Sequence, residues 1–178
     1  STRKNKWSES NLNKVNLNTN FINNIGNEWA NKIAETTWKV GGNTWANIET
    51  TVPATAYQNE IVNPVTTNTT DNKTEYTAKI GLMYVSDYYY AASPSAWTLV
   101  GNNSSDATKD YRFSKGENWL YGGGWDWTIS RNADISYCAF CVGYRGYVNY
   151  SNVGNYDDYG VRPSFNLESA ITYVSGSG

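Results

Sequence analysis

Apolar residues in the first quarter of the chain recur at helical spacing. Leu17, Phe21, Ile22 and Ile25 stand one, three and four apart, which predicts an amphipathic helix entered through Asn18 or Thr19 and interrupted at Gly26. Trp29, Ala30, Ile33 and Ala34 extend the stripe, with Glu28 and Lys32 as an i,i+4 pair. The β-branched and aromatic run Thr36-Thr37-Trp38-Lys39-Val40 reads as a strand stopping at the turn Gly41-Gly42. Periodicity then fades. Pro53, Pro64 and the polar run 66–73 predict long loops around one short strand near 56–62. Lys79-Ile80-Gly81-Leu82-Met83-Tyr84-Val85 is a compact apolar run, the pattern of a buried strand. A short helix capped by Ser86 or Asp87 follows it through Ala92 and ends at Ser93-Pro94.

From Trp97 onward, short strand candidates alternate with turn residues and helical patterning is nearly gone. The landmarks are Trp119-Leu120, the turn Gly122-Gly123-Gly124, the run Trp125-Asp126-Trp127-Thr128-Ile129-Ser130 and the segment 136–165. Helices early and strands late predict an α+β fold, with N-terminal helices and a mostly antiparallel C-terminal sheet carrying long loops. No break in composition and no repeat divides the chain, so 1–178 reads as one domain, with 1–14 and 175–178 as terminal extensions.

Composition narrows the function classes. The chain has 178 residues with Lys+Arg 14 against Asp+Glu 16, a net charge of −2. That lacks the concentrated positive footprint of a nucleic-acid binder. It contains no His, which excludes His-based triads, His-ligated metals and the H-E-x-x-H motif. No apolar run approaches a membrane span, no signal peptide stands at the start, and Ser1 reads as the beginning of a trimmed or mature fragment. The chain is rich in Asn (24), Tyr (15) and Trp (8) but has only 4 Phe, and low charge with that alphabet points to a secreted or cell-surface domain.

The densest chemistry lies in 137–159, which holds six of the 15 tyrosines. Strands at 137–142 and 147–153 would form a hairpin around Tyr144-Arg145-Gly146, with the loop 154–158 leading into 160–165. One reading is an ordinary Tyr-rich antiparallel sheet. The other is a paratope-like surface, in which Tyr gives wide contact area at low entropy cost and Ser, Asn, Asp and Gly adapt hydrogen bonds to a partner. On the second reading the ligand-binding residues are Tyr137, Tyr144, Arg145, Tyr147, Asn149, Tyr150, Asn152, Asn155, Tyr156, Asp157 and Asp158. Alanine at Tyr144, Tyr147 and Tyr156 is then expected to weaken capture of a partner while leaving the melting temperature nearly unchanged.

Alternation places Trp125 and Trp127 on one face and Asp126 on the other. The two rings are either core or, joined by Trp119 or Tyr121, a stacking platform for a sugar; a glycan-array hit lost on Trp125→Ala would favour the latter. Cys138 and Cys141 sit three apart in a strand candidate, pointing to opposite faces, which favours free thiols over a local disulfide or a metal set. Asp157-Asp158 lacks a calcium-loop pattern, and nothing fixes the separation of Asp87, Glu117 and Asp126 as a glycosidase pair. No catalytic set, metal site or cofactor is expected.

Trp127-Thr128-Ile129-Ser130-Arg131, followed by a hairpin and then Tyr159-Gly160-Val161-Arg162-Pro163-Ser164-Phe165-Asn166-Leu167, resembles the end of a C-type-lectin-fold domain. The branch is the one shared by formylglycine-generating enzyme and the variable proteins of diversity-generating retroelements, closed by a G-x-R-P element. The stretch 79–92, KIGLMYVSDYYYAA, is similar to a signature of bacterial surface domains that follow a type IV prepilin-like helix. The resemblance implies a C-type-lectin-like fold displayed on a cell surface or pilus as an adhesin. Its implied partner is a protein or glycan ligand on another cell or phage surface. In the retroelement-linked relatives, randomised AAC codons yield Asn, Tyr, Ser, Asp, Gly, Cys, Arg, Val and Phe, the set in which 137–158 is largely written. The lectin motifs E-P-N and W-N-D are absent, and the cysteines do not match the enzyme's context. The implied role is ligand display without catalysis.

Overall fold

The computed structural model describes residues 4–48, 51–67, 73–95, 118–154 and 158–172. Its elements in chain order begin with a single 3₁₀ turn (Trp7–Glu9) and a π-helix (Leu12–Phe21) that runs into the α-turn α1 (Ile22–Asn24). Next come α2 (Asn27–Ala30), β1 (Thr36–Lys39), β2 (Gly42–Asn43), α3 (Trp45–Ile48) and α4 (Pro53–Tyr57), which continues as a second π-helix (Gln58–Val62). Then follow β3 (Glu75–Ala78), β4 (Gly81–Leu82), α5 (Val85–Tyr90), β5 (Asp126–Asn132), β6 (Cys138–Val142), β7 (Val148–Asn152) and β8 (Pro163–Ser164). The chain is therefore an α+β mix. Trp97, Glu117, Asn155, Tyr156, Asp157 and the closing Ser-Gly run, all singled out from the sequence, lie outside the described residues.

The first helix starts at Leu12, earlier than its apolar spacing predicts, and winds wide. Polar side chains contribute to that winding: Thr19 Oγ1 donates to Lys14 O (2.8 Å) and Asn18 Nδ2 to Asn13 O (3.1 Å), both five residues back. Asn18 also pairs with Ile80 in both directions, receiving its N–H on Oδ1 and donating to its carbonyl, both at 2.9 Å. Gly26 ends the helix at φ 81°, a conformation open to glycine, as the interruption predicted. The expected stripe through Ile33 and Ala34 stops at Ala30; Ile33 instead bridges to Leu167 in the chain's last described segment. The expected strand at 56–62 is helical. Pro53 sits at the helix start, where its missing N–H costs nothing, and Ala, Gln and Glu carry the helix onward. The helix placed after Lys79–Val85 begins at Val85, with Asp87 Oδ2 accepting the Tyr84 N–H (2.9 Å).

The main sheet has the order β2-β5-β6-β7, with β5, β6 and β7 antiparallel and β2 joining in parallel. β1 pairs with β3, and β4 with β8. Two cores result. One gathers Trp7, Leu17, Ile33, Trp38, Val40, Ile80, Leu82 and Ile129, and Trp127 packs against it. The other gathers Ile48, Met83, Val85, Tyr88, Tyr89, Phe140, Val142 and Val148. Side-chain parity along β5 and β6 sends Trp127 and Ile129 to the first and Phe140 and Val142 to the second, so the sheet separates them.

Glu60, fully buried, ties the second π-helix to α5 and β5. Its Oε1 accepts from Ser130 Oγ (2.6 Å) and its Oε2 from Ser86 N–H (3.0 Å), while Ser130 Oγ accepts the Val85 N–H (3.0 Å). Burial pushes its carboxyl up to about 7, against the opposing pull of these hydrogen bonds.

Candidate functional site

The hairpin anticipated in 137–153 is formed, with Phe140 opposite Tyr150 and Val142 opposite Val148. Its turn closes through Gly143 N–H to Tyr147 O and Gly146 N–H to Gly143 O, both 2.8 Å, with Gly146 at φ 85°. At this end an aromatic cluster assembles. Trp125 stacks on Tyr159 (centroids 5.1 Å, planes 8° apart), meets Tyr147 edge-on (5.9 Å) and touches Tyr144 (5.9 Å). Tyr159 also leans on Trp127 (4.8 Å), and the Arg145 guanidinium lies over the Tyr144 ring (5.5 Å). Trp125 and Trp127 thus share a face, as alternation predicts.

Backbone geometry explains why Tyr159 belongs here. Gly160 forms a parallel bridge with Asp126, donating to Trp125 O (2.5 Å) and accepting from Trp127 N–H (3.0 Å). A Cβ at Gly160 would overlap the Asp126 carboxylate, so only glycine allows the approach. Asp126, nearly buried, is held by Arg162 Nη2 at 2.5 Å, and Arg162 Nη1 donates to Leu120 O (2.7 Å). The Gly-x-Arg-Pro run therefore fastens the chain's end to β5 and fixes the loop carrying Tyr121.

The proposed contact residues separate by environment. Tyr144 and Tyr137 are exposed, Asp158 is exposed, and Arg145, Asn149 and Asn152 are half-buried. Tyr147 is the correction: it is 7% exposed and packs edge-on against Trp125, so its alanine variant cannot leave stability untouched. Tyr150 also turns inward, packing against the second core with its ring 4.3 Å from Trp45. Asn155, Tyr156 and Asp157 fall outside the described residues. The sequence sets Trp125, Trp127 and Tyr121 apart from this contact set, as core or a sugar-stacking platform, and leaves Tyr159 out of it. The signal for them was present in the Trp-x-Trp alternation and in a Tyr standing before the Gly-x-Arg-Pro run.

Cys138 and Cys141 are free and buried. Burial pushes the Cys138 thiol up to about 11 and Cys141 further upward, so both stay protonated near neutral pH. Among the described residues no group of His, Cys, Asp or Glu is placed to hold a metal ion, and no helix is long and apolar enough to cross a membrane. The class defined by fold and geometry is an α+β domain that carries an aromatic surface at the turn of its last hairpin. No protein-family model, no curated protein and no solved structure matches this chain.

Proposed function

We propose that the chain is a ligand-binding module with a C-type-lectin-like fold, displayed on a cell surface or pilus, of the kind diversified by retroelements. It grips a protein partner through the turn and aromatic cluster at the end of the β6–β7 hairpin. The observation that carries this reading is the pairing of an exposed Tyr144 with a fixed bed of Trp125, Tyr147 and Tyr159. A rigid ring offered to solvent loses little entropy on binding, which is what makes Tyr an effective anchor. The Gly-x-Arg-Pro run, holding Asp126 and the loop at Leu120, agrees with the closing role it has in that family.

The reading is tested by probing purified protein against an array of bacterial and viral surface proteins. A specific hit should weaken at least about tenfold with Tyr144→Ala, the scale of a hot-spot truncation. It should persist with Tyr57→Ala, an exposed tyrosine on α4. Hits indifferent to Tyr144 would contradict the reading.

Carbohydrate binding is the second reading, favoured by Trp119, a residue 78% exposed in the loop before Tyr121. It is a more open stacking platform than Trp125, whose face Tyr159 covers. A glycan-array hit abolished by Trp119→Ala would promote it.

A further inference from the structure

The carbonyls of Tyr144 and Gly146 are each taken by a phenol from a different part of the chain. The turn's own bonds employ the carbonyls of Gly143 and Tyr147. Tyr88, at the centre of α5, donates its hydroxyl to Gly146 O at 2.8 Å. Tyr121, from the loop before β5, donates to Tyr144 O. Tyr88 is fully buried, and desolvation raises its phenol pKa, which keeps it a donor.

The main chains of both tyrosines are tied to one residue. Asn118 is 1% exposed; its Nδ2 donates to Tyr88 O (2.9 Å), its Oδ1 accepts the Leu120 N–H (3.0 Å), and its carbonyl accepts the Tyr121 N–H (3.1 Å). A phenylalanine at 88 would fill the same apolar space, so core packing alone does not call for either hydroxyl. What the hydroxyls supply is a fixed direction for two carbonyls flanking Arg145.

We propose that Tyr88 and Tyr121, joined through Asn118, act as positioning residues that clamp the Tyr144–Arg145 turn into a pre-formed binding edge. This rests on the reading of that turn as the contact surface and adds how the surface is kept ordered before a partner arrives, which lowers the entropic cost of association.

Amide hydrogen exchange on the full chain, resolved by residue, tests the clamp without any ligand. Tyr121→Phe and Tyr88→Phe should each speed exchange at Gly143 and Gly146 by roughly three- to tenfold, the scale of one lost hydrogen bond. The double variant should exceed either, while the β6–β7 ladder amides of the strand body keep their wild-type rates. Turn amides that stay protected, or that loosen only in step with the ladder, would overturn the proposal. Should the buried Tyr88→Phe fail to fold, the half-buried Tyr121→Phe decides the matter alone. A negative result here removes the clamp and leaves the contact surface standing, whereas failure of the contact surface shows separately in the binding of Tyr144→Ala.

Discussion

The body and the turn of the β6–β7 hairpin use the same aromatic alphabet to opposite ends. In the body, Phe140, Val142 and Val148 are fully buried and Tyr150 packs on Trp45, so the strands hold the second core together. At the turn, only two residues separate Tyr144, 47% exposed, from Tyr147, 7% exposed, and both rings meet Trp125. Residue type does not assign a tyrosine's role here. The parity of the strand and the position of the turn do.

The sharpest way to break the comparison is to empty the body. Phe140→Ala should cost about 3–5 kcal/mol, the usual range for a buried Phe, read by denaturant unfolding. A cost near that of an exposed substitution would mean the strands are not the core.

The second prediction concerns α5, which packs on the body and is anchored by Glu60. Its carboxyl titrates at about 7 when folded, against a normal value of 4.5. The folded state therefore binds the extra proton between these values, and stability should fall as pH rises from about 4.5 through 7. A shift of that size corresponds to about 3 kcal/mol. Burial moves Asp87 the same way, while Lys39 lowers Glu75, which opposes the trend at the surface. Unfolding curves from pH 4 to 8 should show the slope in the parent and a clearly shallower one in Glu60→Gln; parallel profiles would contradict the assignment.

Third, Gly160→Ala places a methyl group against the Asp126 carboxylate and should separate Tyr159 from Trp125. Overpacking of this kind costs about 1–3 kcal/mol. The near-ultraviolet circular dichroism of the stacked pair should weaken with it. Retention of both signal and stability would show that the bridge between Gly160 and Asp126 does not hold the cluster. The smallest effect expected is on the thiols: Cys138 and Cys141 should resist a thiol reagent at pH 8 until the chain unfolds, and rapid native labelling would place them nearer solvent than their burial indicates.

Much of the hairpin was legible in sequence because two short-range signals agree there. Runs rich in Tyr, Val and Phe mark the strands, and Tyr-Arg-Gly marks the turn, with Gly146 supplying the positive φ. Trp125 and Trp127 were readable from their alternation. The segment 56–62, expected as a strand, is helical: Pro53 opens a helix whose first part, α4, packs on α5, and Ile61 and Val62 are carried in it despite their β preference. The inward turn of Tyr147 and the arrival of Tyr159 depend on chain segments that meet only in three dimensions. So does the clamp from Tyr88. No local pattern carries such information, and the Asn-rich first helix shows the same limit, its wide winding accompanied by side-chain bonds five residues apart.

A paired measurement on Tyr144→Ala and Tyr147→Ala, recording melting temperature beside affinity for the surface-protein hit, separates the binding tyrosine from the supporting one. Tyr144→Ala should change stability by less than about 0.5 kcal/mol yet lose about tenfold or more in affinity. Tyr147→Ala should lower stability by roughly 2–5 kcal/mol. Full affinity in folded Tyr144→Ala would contradict the binding role of Tyr144.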